Sequence, residues 1–237
     1  MLWFDPAYFI IIAPGLLLAF YAQWKVKSAF ARGSQIPTQR GWTGAQIAQA
    51  ILDAQGIRNV RIEPVEGYLS DHYDPRAKVL RLSPDVYHGR SLAAAGVAAH
   101  EVGHAIQDAQ QYAPLVWRNA VVPMASFGSS IGMLLLMVGI GFGMSGPGRV
   151  LAIAGCALFS MVVLFQVINL PVEFNASSRA REALLINGIT TQVEDQEIKR
   201  VLDAAAMTYV AATVTAILQL LYFLMRAGLL GGRHQDE

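Results

Sequence analysis

The sequence predicts a mainly α-helical membrane protein, in which about four transmembrane helices accompany an α+β domain outside the bilayer. Of the 237 residues, 54% are hydrophobic and only 15% are charged, whereas soluble domains carry about 25% charged residues. Four stretches are apolar over about twenty residues, the length that a helix needs to cross a bilayer. The predicted spans are residues 3–21, 120–144, 150–171 and 204–225.

The first apolar stretch is weaker than the other three. Asp5 and Pro6 lie at its start, and Pro14 and Gly15 interrupt its middle. A secretory signal peptide is the alternative interpretation of this stretch. However, no basic residue precedes the apolar run, and no small-residue cleavage pattern precedes Trp24. We therefore expect an uncleaved membrane anchor.

Two polar segments separate the spans, at residues 23–119 and 172–203. Together they contain fifteen of the eighteen Lys and Arg residues, and Lys25, Lys27 and Arg32 follow the first span directly. Basic residues accumulate on the cytoplasmic side of membrane proteins. Because four spans place both polar segments on the same side, we expect both of them in the cytoplasm.

Charge and cysteine content limit the classes of function. The formal net charge is only +1, so nothing suggests nucleic acid as a partner. The single cysteine, Cys156, lies inside the third predicted span. An internal disulfide and a thiolate metal cluster are therefore excluded.

The larger polar segment is predicted to form the α+β domain. Alternating apolar residues at 59–65 and 78–82 favour two strands. Thr43 is typical of a helix N-cap. A second helix is predicted between its N-cap at Ser91 and a stop at Pro114.

This second helix carries the sequence HEVGH, in which His100 and His104 are four residues apart on one helix face. Both imidazoles can reach one ion, and a catalytic zinc keeps one coordination position for water. Glu101 can then take a proton from that water as it attacks a carbonyl. A chance match is the alternative, but the preceding residues are almost all small and apolar, so these polar groups would be costly without a metal.

A zinc site of this kind needs a third protein ligand. After residue 145 the sequence has one histidine, His234, which falls in the tail on the opposite side of the membrane. Glu173 lies in the apolar sequence LPVEF, and the hairpin of the second and third spans returns it to the HEVGH side. A helix-start carboxylate stabilised by the helix dipole is the alternative for Glu173. More polar, solvated contexts surround the other acidic candidates, Glu182, Glu194, Asp195 and Glu197.

The segments HEVGHAIQ and VEFNAS, separated by a two-span hairpin, resemble the bacterial membrane zinc metallopeptidases of the YugP type. The upstream stretch LSDHYDPRAKVLRLSPDVY fits the same pattern, so the resemblance covers essentially the whole chain. The chain is also distantly similar to the heat-shock membrane metallopeptidases of the gluzincin group. The resemblance implies a zincin-like cytoplasmic domain that binds Zn²⁺ through His100, His104 and Glu173. It also implies a multi-pass protein of the bacterial inner membrane, with its active site on the cytoplasmic side.

The sequence departs from the gluzincin pattern at one position. Gluzincins commonly carry an aspartate four residues after the ligand glutamate, and here that residue is Ser177. The group that orients a ligating imidazole must then come from elsewhere, with Asn175, Ser177 and Asp108 as candidates. The alternative for each is a polar group on a helix surface, and the run from Gln107 to Gln111 is predicted to be a solvated helix end.

A peptidase also needs a hydrogen-bond donor for the oxyanion of its transition state. We predict His72 for this role, because zincins often place a substrate-pairing strand before the motif helix. Tyr73 and Tyr68 lie in the same extended stretch. The alternative for His72 is a turn residue between Asp71 and Asp74.

Together these patterns predict an integral membrane zinc endopeptidase that cleaves protein or peptide substrates, membrane proteins among them, near the cytoplasmic surface of the bilayer. An intramembrane, site-2-like metalloprotease is one alternative. Only about nine apolar residues precede His100, which is too short to place the motif at mid-bilayer. The other alternative is a non-catalytic metal-binding membrane scaffold, which would not need Glu101.

Overall fold

The computed structural model describes residues 5–143 and 146–230 of the chain. These residues are mainly helical, as predicted, and include a small mixed sheet. The helices are α1 (Pro6–Ser34), α2 (Gly44–Ala54), α3 (Pro84–Tyr87), α4 (Leu92–Ala109), α5 (Ala113–Phe127), α6 (Met133–Gly141), α7 (Gly146–Ile186) and α8 (Gln192–Arg226). The strands are β1 (Arg61–Pro64), β2 (His72–Asp74) and β3 (Val79–Leu82). A π-helical turn, Gly128–Gly132, joins α5 to α6.

Four helical segments within the described residues are long and apolar enough to cross a membrane, which agrees with the four predicted spans. They are Pro6–Ser34, Ala113–Gly141, Gly146–Ile186 and Gln192–Arg226. The first predicted span begins at Trp3 and the second ends at Met144, and both of these residues lie outside the described ranges.

Several helices extend well beyond their apolar stretches. Helix α7 continues through Pro171 to Ile186, although the sequence suggested that the third span ends at this proline. A proline removes a single helix hydrogen bond, and helices of membrane proteins tolerate this loss. Glu173 therefore lies inside a continuous helix rather than at a helix start.

The chain divides into two compact units. The described parts of Met1–Tyr21, Trp117–Asn169 and Tyr209–Glu237 form the apolar unit. Its helices pack closely through glycines: a Cβ at Gly128 would lie 2.2 Å from the Leu158 carbonyl oxygen, and one at Gly139 would lie 2.6 Å from the Ala152 nitrogen. Gly128 and Gly132, which are four residues apart, are therefore packing residues.

The polar unit comprises Ala22–Val116 and Leu170–Thr208. Its sheet has the order β1-β3-β2, in which β3 pairs parallel with β1 and antiparallel with β2. Strands β1 and β3 match the two alternating stretches of the sequence. Strand β2 is an edge strand of only three residues, too short to show a periodic pattern.

Helix α4 lies at the centre of the polar unit's core. Its N-cap is Ser91, as predicted, and the Ser91 side chain accepts a hydrogen bond from the Ala94 backbone nitrogen. Small residues let neighbouring elements approach it closely. A Cβ at Gly103 would lie 2.5 Å from the Ala176 carbonyl oxygen of α7. This approach brings the HEVGH helix against the segment of α7 that carries Glu173.

Candidate metal centre

The polar unit brings together His100 and His104 of α4 with Glu173 of α7. Glu173 Oε2 lies 3.3 Å from His100 Nε2 and 3.5 Å from His104 Nε2. All three side chains are largely buried, with exposed fractions of 13%, 11% and 5%. Among the described residues, these three alone form a group of His, Cys, Asp or Glu side chains that could hold a metal ion.

The spacing of these atoms fits zinc. In a tetrahedral site with zinc–ligand distances of about 2.1 Å, neighbouring ligand atoms lie about 3.4 Å apart. The two Nε2–Oε2 distances, 3.3 and 3.5 Å, bracket that value. Two imidazole nitrogens and one carboxylate oxygen are also a ligand set of catalytic zinc, which leaves a fourth position for water or substrate.

Each imidazole is oriented by a hydrogen bond at its other nitrogen. His100 Nδ1 lies 3.1 Å from Ser177 Oγ, and His104 Nδ1 lies 3.0 Å from Gln107 Oε1. Both Nε2 atoms are therefore directed toward Glu173. Such bonds fix the ring orientation of a ligating histidine and raise its basicity. Ser177, at the position where gluzincins commonly have aspartate, contacts a motif histidine directly.

Gln107 is the residue that the sequence analysis missed. It was predicted to begin a solvated helix end, but its side chain is completely buried. The prediction was wrong because the buried face of α4 continues one turn beyond His104, and the exposed residues begin only at Ala109. The signal was present in the sequence, since position 107 follows His104 by three residues and shares its helix face.

Glu101 is buried on α4 beside this centre. Burial raises the pKa of its carboxyl to about 7, although the charge of His100 opposes the shift. The nearby backbone of Tyr73 in β2 has the opposite, smaller effect and lowers the pKa of this carboxyl. A carboxyl with a pKa near neutrality can both accept and release a proton at physiological pH.

Strand β2 is held against α4 by a second set of contacts. The Tyr73 hydroxyl donates to Asp108 Oδ2 at 2.6 Å, and Lys78 Nζ donates to the same oxygen at 2.5 Å. Burial and the Asp108 carboxylate raise the pKa of Tyr73 above its usual range. Asp108 was one candidate for orienting an imidazole. In the structure its carboxylate accepts hydrogen bonds from Tyr73 and Lys78.

His72 lies exposed on β2. Its Nδ1 is 2.8 Å from the Ser70 carbonyl oxygen, and its Nε2 is 3.5 Å from Arg81 Nη1. It does not belong to the group formed by the two motif histidines and Glu173. Its role as an oxyanion donor stays a prediction. Tyr68, the other candidate in this stretch, is exposed and contacts the Phe30 ring, and His234 lies outside the described residues.

Three of the acidic residues that were expected to be solvated are in fact buried. Each has a polar partner that compensates its burial. Asp195 accepts two hydrogen bonds from Arg181. The others are Glu197, paired with Arg32 and Arg200, and Glu194, which accepts from the Gln39 and Thr191 backbone nitrogens. Two of these partners, Arg32 and Gln39, lie more than 150 positions away in the sequence, so the local context did not reveal the burial of Glu197 and Glu194.

Comparisons with known proteins find one family and one close relative in sequence. A family model described as "Putative neutral zinc metallopeptidase" matches residues 8–228. The chain is also 46% identical over 217 residues to "Putative membrane protease YugP" of Bacillus subtilis (strain 168), an alignment that covers 92% of this chain and 94% of that protein. No solved structure matches the chain. The family match spans nearly the whole chain, and the chain therefore belongs to this family of neutral zinc metallopeptidases.

Proposed function

We propose that this protein is a zinc-dependent endopeptidase that hydrolyses peptide bonds near the cytoplasmic surface of the bacterial inner membrane. The main support is that His100, His104 and Glu173 converge at distances that fit tetrahedral zinc. The buried carboxyl of Glu101 lies on the same helix as the two histidines. A non-catalytic scaffold would need the three ligands but would have no use for Glu101.

Each residue has a defined part in this proposal. Bound zinc would supply a Lewis acid that polarises the scissile carbonyl and lowers the pKa of a water molecule. The Glu101 carboxylate accepts a proton from that water molecule as the water oxygen attacks the carbonyl carbon. Glu101 then delivers the proton to the amide nitrogen, the C–N bond breaks, and a carboxylic acid and an amine are released.

The proposed location rests on charge and hydropathy. The segments that carry the site contain fifteen of the eighteen Lys and Arg residues, which supports a cytoplasmic site in a multi-pass protein. A site beside the bilayer suits protein or peptide substrates that are themselves near the membrane. We therefore propose membrane proteins as one class of substrate.

The test is to measure zinc content and casein hydrolysis of the full chain purified in detergent. We expect one zinc ion per wild-type chain. Glu101→Gln should keep the zinc and lose hydrolysis, because an amide cannot accept the proton. Glu173→Ala should lose the zinc, whereas Glu182→Ala, which removes an exposed glutamate from the same helix, should keep both zinc and activity.

Two outcomes would contradict the proposal. Full hydrolysis by Glu101→Gln would exclude this glutamate as the proton acceptor. A wild-type chain that binds no zinc after incubation with the metal would remove the basis for an enzyme of this type.

A further inference from the structure

The side chain of Gln107 forms hydrogen bonds to both helices that carry the candidate metal ligands. Its Oε1 lies 3.0 Å from His104 Nδ1. Its Nε2 donates to the Val172 carbonyl oxygen at 2.8 Å and to Asn175 Oδ1 at 3.0 Å. One completely buried side chain thus contacts a motif histidine and the residue that directly precedes Glu173.

The orientation of the Gln107 amide follows from its partners. The Val172 carbonyl can only accept a hydrogen bond. Asn175 Oδ1 also accepts from Arg179 Nε at 2.7 Å, and a guanidinium can only donate, so the Asn175 amide is oriented as well. The amino group of Gln107 must therefore face α7, because the reverse orientation would place its oxygen against two acceptors. Its Oε1 consequently faces His104.

This orientation decides which nitrogen of His104 carries the proton. An amide oxygen only accepts, so His104 Nδ1 must donate. In the neutral ring, Nε2 then carries a lone pair directed at Glu173 Oε2, 3.5 Å away. A lone pair and a carboxylate oxygen repel each other unless a proton or a metal cation lies between them. The arrangement thus prepares Nε2 to bind a metal ion.

We propose that Gln107 is a positioning residue that holds His104 in its Nδ1–H tautomer and aligns the Glu173 segment of α7 with it. This inference rests on the zinc site proposed above. A buried polar group does not stabilise a protein more than a well-packed apolar group unless all of its hydrogen bonds are satisfied. Here the amide oxygen of the Gln107 side chain faces His104 and its amino group donates twice to the segment of α7 that carries Glu173.

The test compares Gln107→Met with Gln107→Glu in the full chain. Methionine has similar length but neither donates nor accepts a strong hydrogen bond. Glutamate keeps an acceptor for His104 but loses the donors to α7. Gln110→Met is the matched control, because Gln110 is the C-cap residue of the same helix, is exposed and bonds to Arg179 rather than to a ligand.

Two measurements separate positioning from folding. The first is the zinc dissociation constant, obtained by competition with a chromophoric chelator. The second is the ¹⁵N NMR spectrum of metal-free, histidine-labelled protein at alkaline pH, where imidazoles are neutral; the His104 signal is assigned by its loss in His104→Ala. Thermal unfolding is recorded for every variant.

We expect Gln107→Met to weaken zinc binding by about 10–100-fold and to release His104 from the Nδ1–H form. Gln107→Glu should keep a proton on Nδ1 and bind zinc more tightly than Gln107→Met, and Gln110→Met should match the wild type. Wild-type zinc affinity in Gln107→Met would overturn the inference. If Gln107→Met does not fold, a His104 without a proton on Nδ1 in Gln107→Glu would overturn it instead. A wild-type chain without zinc would refute the proposed function, independently of the tautomer.

Discussion

Gly103 lies between the two motif histidines, where α4 and α7 come closest. A Cβ at this position would lie 2.5 Å from the Ala176 carbonyl oxygen and 3.0 Å from its carbonyl carbon. These are backbone atoms, so no side chain can rotate away. To restore an ordinary contact of 3.4 Å, α7 would have to withdraw by about 0.9 Å. Gly103→Ala is therefore a direct test of the spacing between the two ligand-bearing helices.

The displacement is large compared with the tolerance of a metal site. Ala176 follows Glu173 by three residues on the same helix, so the Glu173 carboxylate moves with it. Functional metal sites hold their ligand distances within about 0.2 Å. We expect Gly103→Ala to weaken zinc binding at least ~10-fold and to lower the free energy of unfolding by about 1–3 kcal/mol through overpacking.

Gly96→Ala is the control for helix propensity, because Gly96 is two turns earlier on the same helix. Its added Cβ would meet the Ile198 side chain at 3.1 Å rather than a backbone atom. Both substitutions gain about 1 kcal/mol of helix propensity, so Gly96→Ala should stay near wild-type stability and bind zinc normally. Zinc competition and thermal unfolding measure both effects. Wild-type zinc affinity in Gly103→Ala would refute the argument from helix spacing.

Three further outcomes follow from the contacts. Ser177→Ala removes the hydroxyl beside His100 Nδ1 and should weaken zinc binding about 10-fold; Ser177→Thr, which keeps a hydroxyl, should bind nearly as well as wild type in the same competition assay. Tyr73→Phe removes the hydrogen bond to Asp108 and should lower unfolding stability by about 1–2 kcal/mol while zinc content stays unchanged, because Tyr73 contacts no proposed ligand. Removal of zinc by a chelator should lower the thermal unfolding midpoint. The free energy of unfolding should fall by about 4 kcal/mol relative to protein in zinc at about 1,000 times its dissociation constant. An unchanged midpoint would mean that the native state does not bind the metal.

The sequence alone was sufficient for the features that depend on local periodicity. The apolar stretches indicated four long helices because membrane thickness sets their length. The four-residue spacing of His100 and His104 placed both on one helix face, since a helix turn is 3.6 residues. The Ser91 N-cap depends only on neighbouring residues and was likewise predictable. Glu173 was singled out because a lone carboxylate in an apolar segment needs a partner.

Only the tertiary structure decided the features that depend on partners distant in sequence. Gln107 is buried because α7 covers the end of α4, and its bonds to Val172 and Asn175 join residues more than sixty positions apart. The burial of Asp195 on α8 is compensated by two hydrogen bonds from Arg181 on α7. The local sequence indicates which side chains could be buried, whereas the packing of whole helices decides which side chains are buried. Only that packing determines the hydrogen bonds that orient the candidate metal centre.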